Sequence, residues 1–318
     1  MAAALHTGKD IDLLSTNIQT NVQPRISEHY RQGEHGRMRY WLSTPAHGRP
    51  ILFIHGYGGL IEHWRRVLPA LARSHTVAAL DLYGFGYSAR PSEISDCALW
   101  SRQVADLVRQ VLPGPAVVVG HSMGGMPAAQ VAHDYPELIQ GLVLVNSAGL
   151  PPSREPSAFD RAFFGLVQTS GLGELLAGVF ANEWGVRQSL RSAYYREECV
   201  TDELVGLFSA PLRRRDGVRS YLAVTRALMN SHLNIPPGAV QVPTLLLWGE
   251  HDRSLPPSVA HAFKQRMFPQ AEIQIVPESG HCPFDEAADV FSNKLLGWLN
   301  RIKVDQVDQA QDRVKRAS

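Results

Sequence analysis

Three short apolar runs, Ile51 to Ile54, Ala116 to Val119 and Thr244 to Trp248, and one alternating run, Ala271 to Val276, punctuate the chain. Each is too short for a helix and is followed by Gly, Pro or His, so each reads as a strand, buried where the run is unbroken. Val104, Leu107, Val108 and Val111 recur at three- and four-residue spacing and predict an amphipathic helix over Ala98 to Leu112. Two further helices are predicted, over Glu62 to Arg73 and Met123 to Tyr135. Pro127 falls within the first turns of the latter, where a missing N–H costs least. Strand and helix patterns alternate from Ile51 to Gly149, which implies parallel strands joined by crossover helices. The fold class is therefore α/β, with a mostly parallel, doubly wound sheet. Ahead of it, Ile26 to Arg31 and Arg37 to Ser43 predict an antiparallel hairpin.

Alternation breaks between Leu150 and Val240, and Thr244 resumes the sheet. About 90 residues there show helical periodicity, many aromatics and no strand pattern. Phe159, Phe163, Phe164, Leu166 and Val167 suggest one apolar face; Leu175, Leu176, Val179 and Phe180 suggest another. Such a segment predicts an inserted helical cap that covers the strand ends and makes an apolar cleft. The expected organisation is an N-terminal extension (1–25), a first part of the core (26–149), the cap (150–240), a second part of the core (241–302) and a polar tail (303–318). Mixed charge and few apolar residues over Val304 to Ser318 predict fraying.

Composition suits one large core with an insertion: 318 residues, 44% of them hydrophobic and 19% charged. Thirty-one Lys and Arg against thirty Asp and Glu leave no global field for nucleic acid or an anionic membrane, and an uncharged ligand is expected. Cys97, Cys199 and Cys282 lie far apart, with neither metal-ligand spacing nor an even-numbered disulfide framework. A reducing compartment fits that usage. No apolar run approaches membrane-spanning length, and Met1 to Asp12 lacks the basic start and apolar stretch of a secretory signal. The expected location is cytoplasmic.

The chemistry concentrates after the strands. Gly120-His121-Ser122-Met123-Gly124 follows Ala116 to Val119 and makes a Gly-x-Ser-x-Gly elbow, a tight strand-to-helix turn that projects a serine hydroxyl into a cleft. A hydroxyl is a poor nucleophile near neutral pH, so it needs a histidine base and a carboxylate to orient that base. Asp252 lies on the loop after Thr244 to Trp248, and His281 follows the next strand through Pro277-Glu278-Ser279-Gly280. Glu250 competes with Asp252, being a carboxylate on the same loop. An oxyanion requires donors, and Ile51 to Ile54 runs into the glycine-rich loop His55-Gly56-Tyr57-Gly58-Gly59. The backbone N–H groups of Tyr57 and Met123 are the expected pair. The Tyr57 side chain either lines the acyl pocket or packs.

His55-Gly56, Asp81-Leu-Tyr-Gly84-Phe-Gly86-Tyr-Ser88, the serine elbow, Trp248-Gly249-Glu250-His-Asp252 and Gly280-His281 together resemble the α/β-hydrolase family, over about residues 26 to 302. The resemblance implies the α/β-hydrolase fold, the order serine, acid, histidine, and by its spacing Asp252 in preference to Glu250. Leu82 to Ser88, Asn146-Ser-Ala-Gly149 and Gly280-His-Cys-Pro283 with Asp285-Glu286 are similar to pheophytinase-type hydrolases. The elbow departs from the Asn-Ser-Leu of that subgroup, and its Gly-His-Ser-Met-Gly-Gly resembles general esterases and lipases.

The expected activity is hydrolysis of a carboxylic ester of a fairly apolar small molecule, without metal or organic cofactor. Two alternatives keep the fold. One cleaves a C–C bond in a dioxo acid, with Arg213, Arg214 and Arg215 as cations for its carboxylate; the other binds a ligand without turnover. An aspartate nucleophile, required for dehalogenase or epoxide chemistry, is absent at position 122. Gly84-x-Gly86-x-x-Ala89 mimics a dinucleotide fingerprint, but Arg90-Pro91 stands where its helix should begin. There Asp81 is expected to bond the loop. Arg213 to Arg215 otherwise reads as a solvated face, Cys282 as packing, and Asp285 and Glu286 as charge at the start of the last helix.

Overall fold

The computed structural model describes residues 24–91, 97–151, 182–214, 216–228 and 231–317, with side chains up to residue 302. Strands β1 (Arg25–Gly33) and β2 (Gly36–Thr44) form the N-terminal hairpin. Then come β3 (Pro50–Ile54), a 3-10 turn (Ile61–Trp64), α1 (Leu68–Leu71), β4 (Thr76–Leu80), α2 (Cys97–Val111), β5 (Ala116–His121), α3 (Gly125–Asp134) and β6 (Ile139–Val145). Helices α4 (Glu183–Ala193), α5 (Asp202–Ser209) and α6 (Gly217–Leu228) precede β7 (Thr244–Gly249). The chain closes with α7 (Ser258–Arg266), β8 (Glu272–Val276), α8 (Pro283–Glu286) and α9 (Ala288–Ala317).

The eight strands form one sheet in the order β1-β2-β4-β3-β5-β6-β7-β8. Only β1–β2 and β2–β4 pair antiparallel; every later pair is parallel. Both faces of a parallel sheet are covered, which is why the central strands read as unbroken apolar runs. Alternate residues of each run serve opposite cores. Leu52, Val118, Leu144 and Leu246 face α2, α3 and α7; Phe53, Val119, Val143 and Leu247 face α1 and the start of α9. Helices α4 and α5 join the second core through Leu190, Leu204 and Val205, whereas α6 joins the first through Val224. The described residues between Asn182 and Val240 contain helices and turns and no strand. The apolar faces expected around Phe159 to Phe180 lie outside the described residues.

One expectation needs correction. Glu62 to Arg73 is not one helix: the 3-10 turn ends at Trp64 and α1 begins at Leu68. Pro69 explains the break, since it has no N–H for the Arg65 carbonyl and its ring would crowd that carbonyl in a continuous helix. Toward the C-terminus, α9 runs through the stretch expected to fray. No Gly or Pro follows Gly297, and Val304, Val307, Ala310 and Val314 recur at helical spacing. Overall polarity masked that period.

Candidate active site

Ser122 sits where β5 passes through a single 3-10 turn into α3, and its φ of 51° lies in the left-handed region. That conformation is rare for a residue with a side chain and persists only where surroundings enforce it. Here they are backbone contacts. A Cβ on Gly120 would lie 2.4 Å from the Gly124 carbonyl oxygen and 2.7 Å from the Ala128 Cβ. One on Gly124 would lie 2.3 Å from the His55 carbonyl oxygen. The loop after β3 approaches as closely: a Cβ on Gly56 would meet Ser122 Cβ at 3.0 Å. Tyr57 and Met123 therefore stand on the two backbone segments that flank Ser122, one after each of the adjacent strands β3 and β5.

Asp252 and His281 come from the loops after β7 and β8, and their side chains meet with Nδ1 to Oδ2 at 2.7 Å. Every acceptor site of the carboxylate is used. Oδ1 accepts the backbone N–H groups of Ser254 and Leu255 at 2.8 and 3.0 Å, and Oδ2 accepts Asn146 Nδ2 at 2.6 Å beside His281. Burial pushes the Asp252 carboxyl up, but His281, the Leu255 N–H and Asn146 outweigh it and hold it below the usual 3.8. An ionised Asp252 makes His281 Nδ1 the donor and leaves Nε2 as an acceptor.

Asn146 enters the sequence reading only through the Asn146-Ser-Ala-Gly149 motif, and its role at the site is what that reading missed. It ends β6 with a φ of 42°, is fully buried, and its Oδ1 accepts the Gly249 N–H at 3.1 Å. The amide thereby ties the end of β6 to the end of β7 and to Asp252. An isolated Asn after a strand carries no such signal until the sheet order makes β6 and β7 neighbours.

Histidines surround the serine. His55 donates from Nδ1 to the Gly56 carbonyl and accepts the Leu82 N–H at Nε2; burial pushes its imidazole down to about 4. His121 donates from Nε2 to the His281 carbonyl at 2.9 Å, so its unpartnered Nδ1 carries a lone pair. Burial, with His281 and His63 nearby, holds His121 well below the ordinary histidine value, hence neutral. His63 donates to the Tyr194 hydroxyl at 2.9 Å, which donates to Asp285 at 2.7 Å.

Two cavities meet at Ser122. The first, about 540 Å³, lies beneath α4 to α6 and is lined by Val186, Leu190, Phe208, Leu212, Val218 and Tyr221 with His63, His121 and His281. The second, about 620 Å³, runs between Met123, Met126, Leu228 and one face of α7. Tyr57 borders both, its ring 4.4 Å from that of Tyr221 and its hydroxyl bonded to Thr225. It both packs and lines.

Other expected residues take different parts. Glu250 is exposed and accepts the Glu278 N–H, with no link to His281. Asp81 bonds the Gly84–Gly86 loop as expected, accepting the Tyr87 N–H at 2.8 Å, and it also pairs with the buried Arg39. Arg213 pairs with Glu183 and Arg214 stacks over Tyr87; neither lines a described cavity, and Arg215 lies outside the described residues. Burial, reinforced by Glu286 and Asp285, pushes the Cys282 thiol well above 9, so it stays protonated. Asp285 and Glu286 lie in the first turn of α8, just ahead of α9, and each also makes specific bonds. Asp285 pairs with Arg65 at 3.1 Å, and Glu286 accepts backbone N–H groups of Tyr195, Arg196, Gly280 and Cys282. Both pin the His281 loop against the end of α4. Among the described residues, no cluster of three or more His, Cys, Asp or Glu is arranged to hold a metal ion, and no helix is long and apolar enough to cross a membrane.

The family model of the alpha/beta hydrolase fold matches residues 49–288. The chain belongs to the α/β-hydrolase family. It is 31% identical over 273 residues to the dihydrolipoyllysine-residue acetyltransferase component of the acetoin cleaving system of Pseudomonas putida, covering 84% of this chain and 68% of that one. It is 28% identical over 270 residues to the 2-hydroxy-6-oxo-6-(2'-aminophenyl)hexa-2,4-dienoic acid hydrolase of Metapseudomonas resinovorans, covering 80% and 85%. Lipase 1 of Psychrobacter immobilis is 26% identical over 260 residues, covering 80% and 77%. None of the three is named a pheophytinase-type hydrolase, so that finer likeness rests on the sequence motifs alone.

Proposed function

We propose that this α/β hydrolase is a serine carboxylic-ester hydrolase for a fairly apolar substrate, with Ser122 as nucleophile, His281 as base and Asp252 as the orienting acid. The observation that carries this is the convergence of the left-handed Ser122 with the bonded Asp252–His281 pair at one apolar, histidine-walled cavity. His281 Nε2 takes the Ser122 proton as Oγ attacks the ester carbonyl carbon, and the Tyr57 and Met123 N–H groups hold the oxyanion. The imidazolium, stabilised by Asp252, then gives that proton to the leaving alcohol oxygen as the C–O bond breaks. Water, deprotonated by His281, attacks the acyl-enzyme and releases the acid and free Ser122. Helices α4 to α6 are then part of a cap spanning residues 150–240, and they exclude water from these steps.

Cleavage of a C–C bond is the second reading, favoured by the relative named for a hydroxy-oxo-dienoic acid. That chemistry wants a cation for the substrate carboxylate; the described lining of the first cavity contains no Lys or Arg, and that of the second contains Arg266 alone, at the end of α7 away from Asp252. Fluorophosphonate labelling of Ser122 with turnover of 4-nitrophenyl butyrate supports the esterase. Labelling without turnover of any ester, together with cleavage of a hydroxy-oxo-dienoate, transfers the assignment. In either case Ser122→Ala should lose at least about a thousandfold in kcat.

A further inference from the structure

The two cavities differ in a way that the esterase reading leaves unused. The described lining of the first holds no Asp, Glu, Lys or Arg. The described lining of the second carries a single charged residue, Arg266, at the end of α7. Arg266 is exposed, and no carboxylate pairs with it among the described residues. Ser258, Val259, Ala262 and Arg266 all border this cavity, and their spacing of one, four and eight residues puts them on one face of α7. The stripe has a direction. Leu255, which also borders the cavity, donates its N–H to Asp252, so the α7 start is the catalytic end. Arg266 stands eight residues further along, about 12 Å down the helix at 1.5 Å per residue.

His281 fixes which half of an ester enters which cavity. It borders the first and not the second. The leaving oxygen must reach the imidazole that protonates it, so the alcohol half occupies the first cavity. The acyl half occupies the second, beside Met123, and points along α7.

On the serine-esterase reading of Ser122, we propose that the second cavity is an acyl subsite for a chain ending in an anion, with Arg266 as the residue that selects it. The substrate class is the monoester of a dicarboxylic acid with an apolar alcohol. Guanidinium suits a terminal carboxylate because its planar fork bonds both oxygens, and nothing in the described lining competes for it.

Paired chromogenic esters test this: the mono-4-nitrophenyl esters of adipic, suberic and sebacic acid against neutral hexanoate, octanoate and decanoate. The charged-to-neutral ratio of kcat/KM should exceed one in the native protein and grow with chain length as the carboxylate reaches Arg266. Arg266→Ala should lower that ratio about fivefold, the range of a partly exposed ion pair. Arg266→Glu should take it below one, Arg266→Lys should keep part of it, and Lys264→Ala should leave it where it was. Calorimetric binding of the same pairs to Ser122→Ala reads the subsite without turnover. Equal ratios in the native protein, or a preference that survives Arg266→Ala, overturn the acyl-anion subsite and leave ester hydrolysis standing. Absence of both labelling and turnover sinks the esterase reading, and the binding arm then decides the Arg266 claim alone.

Discussion

The sheet end and the helical wall treat polar groups in opposite ways. At the ends of β5 to β8, Ser122 and Asn146 are held left-handed, Asp252 has a donor at every acceptor site, and His281 is fixed through side chain and backbone. Its N–H donates to the Ala193 carbonyl and its carbonyl accepts from His121. Across the first cavity, α4 to α6 present Val186, Leu190, Phe208 and Val218, whose contacts are dispersive and undirected. Directional bonds tolerate little displacement, whereas apolar contacts exchange partners at small cost. Reactivity should therefore be brittle to substitution at the sheet and selectivity graded along the wall.

The sharpest way to break this comparison is at the acid. Asp252→Asn keeps shape but presents His281 with an amide that favours the wrong tautomer, and kcat should fall about ten-thousandfold. Glu250→Gln, at an exposed carboxylate of the same loop, should stay within about twofold of native. The reverse ranking in kcat would move the acid role to Glu250 and dissolve the Asp252–Asn146–His281 unit.

Acid should attack the sheet side first. Burial, only partly offset by the Gly56 carbonyl, pushes His55 down to about 4 from the usual 6.5. The unfolded chain takes up this proton near 6.5 while the folded one does not, so stability is complete above 6.5 and is lost as pH falls toward 4. By pH 5 the loss from His55 alone is about 2 kcal/mol, and His63 and His121, also held well below the usual value, add to it. Urea midpoints at pH 7 and pH 5 measure it. Burial pushes Asp81 up to about 6 and also raises Asp285 and Glu286, and these carboxyls add stability as pH falls over the same window. The difference between the native protein and His55→Gln therefore isolates the imidazole. Equal pH dependence in the two would mean that His55 is charged in the folded protein.

Asn146 sharpens the comparison at smaller scale. Removing its Nδ2 takes one donor from the carboxylate, so Asn146→Gly should lower kcat about tenfold and move the acid limb of the pH–rate profile upward. Glycine keeps the left-handed backbone, so a further loss in Asn146→Ala reports strain alone. An unshifted acid limb in both variants would reduce Asn146 to a tie between strands.

These differences also explain what could be read before the structure. The central strands were legible because a two-sided sheet buries whole runs such as Ala116 to Val119. The elbow was legible because Gly120 and Gly124 have backbone where a Cβ would stand. The roles of Asn146 and Glu286 were not, since each depends on which loops the strand order makes adjacent. Pro69 marks the break between the 3-10 turn and α1 in the sequence itself, because its effect is local. In the polar tail the Val304, Val307, Ala310 and Val314 period is the part of the pattern that agrees with α9.

The helical wall gives the mildest test. If it selects by burial, each methylene added to the alcohol should raise kcat/KM about fourfold, the equivalent of about 0.8 kcal/mol, until the first cavity is full. Phe208→Ser should shrink that increment on long alcohols and leave methyl and ethyl esters within about twofold of native, because a short alcohol stays near Ser122 and His281. Phe163 and Phe180, on the apolar faces expected of the cap, lie outside the described residues, so Phe208 and Leu190 carry the test. An equal loss on short and long alcohols for both Phe208→Ser and Leu190→Ser would show the wall acting through the catalytic groups, and the division between brittle sheet and graded wall would fail.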